Sequence, residues 1–277
     1  KVAELLRNGQ VVQIMPEGAR SWDGHLMPVR KGIGRFAQKF GVPVVVCRVR
    51  TGHLWFPRWA VWPRWVPLRL EYSAPKTWPK SAAVEDIWSD IVAAMTIPVT
   101  ADFTGTRTFG FRTAEGLPTL LWACPRCFAI DATRGEKSTF SCSACQSSWT
   151  VEVDNRMTGE HPTSVSEAHA AIAKHFGDPM RVGPDVILEE SDVEIMRLEK
   201  GKAMVGEGRG RLVLSERALT LDSGWSQPLS EILAVNMDAG NVLHLRTAAC
   251  IWRVVPKRGS TWKWQNFITP YWERARD

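Results

Sequence analysis

The sequence predicts an α/β layer in its first third, a small β unit with two cysteine pairs in the middle and a β-rich region with a C-terminal helix. Helical and strand-like apolar patterns alternate up to about residue 95, two C-x-x-C pairs follow, and short apolar runs separated by turn residues occupy residues 192 onwards. Alternating helices and strands favour a sheet layered with helices, whereas consecutive short strands favour an antiparallel domain.

Five elements justify the α/β prediction for the first third. Apolar residues at the helical spacing predict helices over 2–8, 33–40 and 81–95. Between them, "VVQIM" at 11–15 predicts a short strand, and "VPVVVCRV" at 42–49 predicts a continuous strand. A strand that is apolar on both faces is typical of a buried parallel sheet.

The composition describes an ordinary folded protein with a basic surface. The 277 residues are 44% hydrophobic and 23% charged, with a net charge of +6. The positive charge favours anionic partners such as phospholipid headgroups, phosphorylated small molecules or nucleic acid. No apolar run approaches 18 residues, so we expect no transmembrane helix in this chain and a cytoplasmic, peripheral location at a membrane.

A loop at 15–21, "MPEGARS", packs a proline, a glutamate, a glycine and an arginine together. It is either a solvated turn or a phosphate site, because the planar fork of arginine suits phosphate oxygens. "RKG" at 30–32 and "VP" at 42–43 follow it. In motif, spacing and helix–strand order, residues 1–95 resemble the second half of the glycerolipid (1-acylglycerol-3-phosphate) acyltransferase domain, whose third motif runs Phe-Pro-Glu-Gly-Thr-Arg-Ser.

The resemblance implies acyl transfer from acyl-CoA or acyl carrier protein to the hydroxyl of a lysophospholipid such as lysophosphatidic acid. It implies that the acceptor is bound by Glu17, Gly18, Arg20, Arg30 and Lys31. Arginine can hold a phosphate through paired charge-assisted hydrogen bonds, and the helix that starts near Arg30 presents free N–H groups to an anion. Glu17 is expected to orient Arg20 or a hydroxyl, since a carboxylate and a phosphate repel each other.

The sequence departs from the family pattern at Met15, Ala19 and in its histidines. The family's catalytic motif is a histidine, four residues and an aspartate, and none of the six histidines here has an aspartate five positions on. Because the chain begins at Lys1, we expect the natural N-terminus and this motif to lie upstream, and the chain alone to be inactive. The rival hypothesis is a non-catalytic lipid-binding adaptor or a zinc-ribbon interaction protein.

A tryptophan- and arginine-rich stretch without acidic residues runs from 48 to 70. Tryptophan favours the membrane interface and arginine pairs with lipid phosphate, so an anionic membrane surface is the expected partner. Core and loop packing is the alternative, and nucleic-acid stacking ranks below both. The predicted membrane-contact residues are Trp55, Arg58, Trp59, Trp62, Arg64 and Trp65.

Four cysteines form two tight pairs, "CPRC" and "CSAC", with 14 residues between the pairs. Such knuckles supply four thiolates for tetrahedral Zn²⁺, and four thiolates leave no open position, so we expect a structural ion. A redox pair or coincidental buried cysteines are the alternatives. The segment 119–154 resembles a zinc ribbon, with the ligands Cys124, Cys127, Cys142 and Cys145.

The last part of the chain has the architecture of a docking module. Short strands at 203–255 followed by one amphipathic helix resemble a PH or GRAM-like domain, which implies membrane or protein docking. Ser260 is the expected N-cap of that helix, and Pro270 is expected to kink or end it near residue 269. The predicted divisions are 1–95 acyltransferase half, 96–118 linker, 119–154 zinc ribbon, 155–191 helix and linker, and 192–277 PH-like domain.

Overall fold

The structure is a computed structural model that describes residues 2–99, 107–184, 186–198, 204–238 and 241–276. The chain divides into two compact units. The first comprises Lys1–Arg58 and Trp62–Phe111, and the second comprises Trp59–Val61 and Arg112–Asp277. The finer sequence divisions at 95, 118, 154 and 191 stay predictions.

In the described part of the first unit there are four helices and four short strands. In chain order they are α1 (Val2–Arg7), α2 (Gly32–Phe40), β1 (Cys47–Val49), α3 (Gly52–Trp55), β2 (Arg64–Trp65), β3 (Leu70–Tyr72), α4 (Val84–Met95) and β4 (Phe109–Gly110). Helices α2 and α4 pack together through Ala37, Ile87 and Ile91. Helix α2 ends where Gly41 adopts the left-handed conformation (φ 60°), as a C-terminal glycine allows.

The prediction of a buried parallel sheet in the first third is wrong. Residues 11–15 form no strand, and Val11 is 97% exposed. The predicted strand 42–49 shortens to β1, which pairs antiparallel with β3. Every strand pair among the described residues is antiparallel. Apolar side chains along β1 face solvent instead of a second layer, because hydrophobicity alone does not specify a strand's partner.

The second unit begins with a four-stranded antiparallel sheet around the cysteines. Its strands, in order, are β5 (Thr133–Glu136), β6 (Thr139–Cys142), β7 (Ser148–Val151) and β8 (Met157–Thr158). Helix α5 (Val165–Phe176) follows, and the Ser164 hydroxyl caps it by accepting the Glu167 N–H at 3.1 Å. The helix predicted within residues 155–191 is therefore confirmed.

A seven-stranded sheet makes up most of the remainder. Its strands are β9 (Leu188–Leu198), β10 (Met204–Leu214), β11 (Ala218–Leu221), β12 (Ser226–Pro228), β13 (Ala234–Met237), β14 (Leu243–Arg246) and β15 (Ile251–Pro256), in the spatial order β12-β11-β10-β9-β15-β14-β13. The first strand thus pairs with the last, and joins a four-strand meander to a three-strand meander.

Helix α6 (Thr261–Arg274) closes the chain against this sheet. The predicted N-cap is confirmed, because the Ser260 hydroxyl accepts the Lys263 N–H at 3.3 Å. The predicted end near residue 269 is wrong, since the helix continues through Pro270. Buried side chains on both sides of the proline, among them Phe267 and Tyr271, hold the two halves against the core.

Candidate functional site

The loop that follows residue 14 is closed by its own backbone and by one carboxylate. Gly18 sits at φ 71°, a conformation that side chains disfavour, and its N–H donates to Met15 O at 3.1 Å. Glu17 Oε2 accepts the N–H of Met27 at 2.8 Å, so the carboxylate holds the loop. The N–H of Arg30 donates to Pro16 O at 3.3 Å and brings Arg30 back beside the glycine.

An open groove of about 450 Å³ lies between this loop and the start of α2. Its walls are mostly apolar, with the Arg30 side chain as the cation at the rim. Within the described ranges, no hydrogen bond or ion pair engages the Arg30 guanidinium. The groove is lined by Ile14, Met15, Pro16, Gly18, Arg30, Gly32, Ile33 and Phe36.

The two other predicted cations lie outside the lining of the groove. Arg20 donates to Phe56 O at 3.1 Å and lies over the Phe56 ring, 5.5 Å from its centroid. Lys31 Nζ lies 2.8 Å from Glu85 Oε1, and this contact lowers the pKa of that carboxyl. Of the predicted acceptor-binding residues, Gly18 and Arg30 therefore both line the groove. Glu17 does not line it and instead accepts the N–H of Met27.

A half-buried arginine and a half-buried histidine stand next to the loop. Arg58 lies over the Trp22 ring at 4.4 Å and donates to Arg20 O at 3.3 Å. Burial and the neighbouring Arg20 lower the pKa of Arg58. Burial also lowers the pKa of His53 to about 4, so this imidazole is neutral at pH 7. The Trp22 ring and the His53 imidazole therefore both lie close to the loop.

The predicted membrane-contact stretch divides by burial. Trp59 and Arg64 are only 4% and 2% exposed, so neither presents its side chain to a partner. Trp55, Trp62 and Trp65 are exposed. Because β2 alternates its side chains, Arg64 points inward while Trp65 points to solvent.

The four cysteine sulfurs converge as a metal site requires. Cys124 Sγ lies 3.7 Å from Cys145 Sγ, Cys127 Sγ lies 3.8 Å from Cys142 Sγ, and all four ligand atoms are within 4.8 Å of one another. Tetrahedral Zn²⁺ with Zn–S bonds of about 2.3 Å would place its sulfurs about 3.8 Å apart. The predicted cluster is confirmed, and it could hold a metal ion such as zinc.

The two cysteine knuckles have the same backbone design. Phe128 and Gln146, each just after the second cysteine of a pair, have positive φ and donate their N–H groups to the carbonyls of Cys124 and Cys142. Burial raises the pKa of Cys124 to about 12, whereas hydrogen bonds from Ser147 lower the pKa of the Cys145 thiol to about 6. A divalent cation would favour the thiolate form at every position.

Sequence reasoning missed several residues of the groove and of the exposed surface. Ile33 and Phe36 fit the helical period of the sequence, but that pattern did not indicate that both line the groove. Phe109 and Phe111 gave no signal, because only strand pairing brings them beside the tryptophan stretch. The isolated spacing of residues cannot reveal such a juxtaposition.

A family model described as Acyltransferase matches residues 1–50, a stretch that contains the whole loop and all five predicted acceptor-binding residues. No curated protein matches the chain. Residues 1–50 are therefore an acyltransferase-like region, which confirms the sequence resemblance at that coarser level.

Proposed function

We propose that this chain contributes the acceptor site of a glycerolipid acyltransferase that acylates a lysophospholipid such as lysophosphatidic acid. The observation that carries the proposal is the groove, since an acyltransferase-like loop forms one wall and a cation stands at its rim. Acyl-CoA or acyl carrier protein is the proposed donor. The family's histidine–four residues–aspartate motif, which supplies the catalytic base, does not occur in this sequence.

The chemistry of the groove suits a phosphorylated glycerol ester. Arg30 offers charge-assisted hydrogen bonds to phosphate, and the first N–H groups of α2 add a positive dipole end. Apolar walls from Ile14, Ile33 and Phe36 suit the first methylenes of an acyl chain. Arg20 and Glu17 hold the loop in this proposal, and Lys31 contributes long-range positive charge.

The remaining parts have supporting roles in the proposal. The cysteine cluster holds a structural zinc ion, because four thiolates complete a tetrahedral shell. The sheet order, with its first strand beside its last and a C-terminal helix, supports a PH-like docking module. Within the described ranges, none of the helices is both long and apolar enough to cross a bilayer. We propose that the protein works peripherally at a membrane surface.

Replacing Arg30 tests the acceptor site. We expect Arg30→Gln to weaken binding of a short-chain, water-soluble lysophosphatidic acid at least about tenfold, because a charge-assisted hydrogen bond contributes about 1.5–3 kcal/mol. Isothermal titration calorimetry measures the Kd. Arg35→Gln is the matched control, since Arg35 is an exposed arginine of α2 that does not line the groove. An unchanged Kd for Arg30→Gln would refute the proposed role.

A second candidate function is a non-catalytic lipid-binding adaptor. It is favoured by one observation, that no histidine of the chain has an aspartate five positions on. Both functions predict acceptor binding, but only the enzyme transfers an acyl group. Turnover of acyl-CoA or acyl carrier protein by the complete polypeptide separates them.

A further inference from the structure

Four large aromatic side chains of the first unit lie together and face solvent. Trp65 is 77% exposed, Phe109 67%, Phe111 54% and Trp62 43%. We call these four residues the aromatic patch. An isolated exposed aromatic residue needs no explanation, but a contiguous group marks an interaction surface.

Strand pairing builds the aromatic patch. Trp65 of β2 stands directly opposite Phe109 of β4. The rings of Trp62 and Phe111 meet edge to face with their centroids 5.9 Å apart. The pairing of β2 with β4 therefore gathers rings that are more than forty residues apart in the chain.

Strand β2 buries its charged side chain and exposes its aromatic side chain. Arg64, between Trp62 and Trp65 in sequence, is 2% exposed, while the tryptophan beside it is the most exposed of the patch. Charged side chains are mostly exposed in folded proteins. Here the arginine is turned inward and the neighbouring ring outward.

The excess positive charge of the chain lies in the unit that carries the aromatic patch. The residues of the first unit include fifteen lysines and arginines against eight aspartates and glutamates, a formal charge of +7. The residues of the second unit have twenty against twenty-one, a formal charge of −1. Exposed rings within a basic unit complement a surface that combines apolar depth with negative charge.

We propose that the aromatic patch docks the first unit onto the interfacial region of an anionic phospholipid bilayer. The inference rests on the proposed function for its choice of partner, because a lysophospholipid acceptor resides in such a bilayer. It also replaces part of the sequence prediction. Trp59 and Arg64 leave the contact surface because they are buried, and Phe109 and Phe111 enter it.

Vesicle binding tests the inference. We expect sedimentation with phosphatidylcholine vesicles that contain 30% phosphatidic acid, and at least about tenfold weaker binding to phosphatidylcholine alone. Trp65→Ser and Phe109→Ser should each reduce binding about tenfold, as expected for one large apolar side chain kept from burial. Tyr72→Ser is the matched control, since Tyr72 is an exposed aromatic residue of the same unit on β3, outside the patch.

A second variant keeps the test independent of folding. Trp65→Phe preserves an apolar ring, so we expect near wild-type binding but less quenching of tryptophan fluorescence by brominated acyl chains. Failure of the wild-type protein to bind either vesicle, equal binding to both vesicles, or an equal loss in Tyr72→Ser would overturn the inference. So would a dimer in lipid-free solution that Trp65→Ser dissociates, because the patch would then join two copies.

The inference and the proposed function fail separately. Titration with the water-soluble acceptor reports the groove, and sedimentation with vesicles that lack any lysophospholipid reports the aromatic patch. Vesicle binding lost in Trp65→Ser with an unchanged acceptor Kd is the expected result. Acceptor binding without wild-type vesicle binding would overturn the inference alone, and vesicle binding without acceptor binding would overturn the proposed function alone.

Discussion

At the residue scale, the lack of a side chain at Gly24 makes room for the His53 ring beside the loop of residues 15–21. Gly24 has φ 101°, and a Cβ there would lie 2.8 Å from the His53 Cδ2 and Nε2 atoms. The imidazole therefore packs against bare backbone. Burial is the main cause of its low pKa, and Arg64 and His25 lower it further while Asp23 opposes them.

The low pKa of His53 predicts that acid destabilises the fold. The pKa falls from about 6.5 in the unfolded chain to about 4 in the folded protein, so between these values the unfolded chain binds a proton that the native protein excludes. The stability that His53 contributes is full above pH 6.5 and is lost progressively as the pH falls towards 4, by about 2–3 kcal/mol in total. Urea unfolding at pH 7.5, 6.0 and 5.0 measures this slope.

Two substitutions isolate the histidine from other acid-sensitive groups. We expect His53→Gln to flatten the dependence of the unfolding free energy on pH. His161→Gln should retain the wild-type slope, because the His161 side chain is 78% exposed. A His53→Gln protein that keeps the full wild-type slope would show that other groups cause the acid sensitivity.

At the element scale, local signals predicted helices and the metal ligands, but not strand partners. Ser260 caps its helix as predicted, and Ser164 caps α5 in the same way, because a cap needs only neighbours three residues away. The cysteine spacing identified its cluster for the same local reason. The partner of β1 begins at Leu70, and an apolar run carries no information about a pairing partner so far along the chain. The aromatic patch depends on such a pairing, that of β2 with β4.

Helix α6 buries a lysine that its amphipathic pattern does not predict to lie in the core. Lys263 is fully buried, and its Nζ lies 2.8 Å from Glu190 Oε2 on β9 and within hydrogen-bond reach of Asp131 in the cysteine-rich segment. Trp264 Nε1 also donates to Glu190 at 2.7 Å. One lysine thus connects the helix, the seven-stranded sheet and the metal-binding part of the second unit.

Removing this lysine should be far more costly than removing a surface lysine. We expect Lys263→Ala to lower the free energy of unfolding by about 3–5 kcal/mol, because it leaves a buried carboxylate without its cation. The exposed Lys257→Ala should stay within about 0.5 kcal/mol of wild type. Chemical denaturation followed by tryptophan fluorescence measures both. In Lys263→Met with Glu190→Gln, loss of both charges should restore much of the stability, and a loss below about 1 kcal/mol in Lys263→Ala would refute the argument.

At the scale of the whole molecule, the two units differ in the contacts that stabilise each of them internally. The first has a small core and a large positive charge, and it presents exposed rings and a groove. The second combines a cysteine cluster, a sheet and helices through continuous aromatic packing. Trp122 lies 4.9 Å from Phe176 of α5 and 5.5 Å from Phe267 of α6, measured between ring centroids. Its stability should therefore depend on the metal well beyond the cysteines.

Metal removal should loosen the second unit from the cysteines outward. Without an ion, the four cysteine sulfurs, which lie within 4.8 Å of one another, have no common ligand, and the knuckles that position Trp122 are no longer tied together. We expect about one zinc per chain by elemental analysis, and faster amide hydrogen exchange in β5–β8 and α6 after chelation, reversed by added zinc. Helices α2 and α4 should keep their protection, since their shared core contains only residues of the first unit. Cys142→Ser should reproduce the effect, and Cys250→Ser should not, because Cys250 lies outside the cluster. If the wild-type protein kept its full protection after chelation, the structural role of the metal would be refuted.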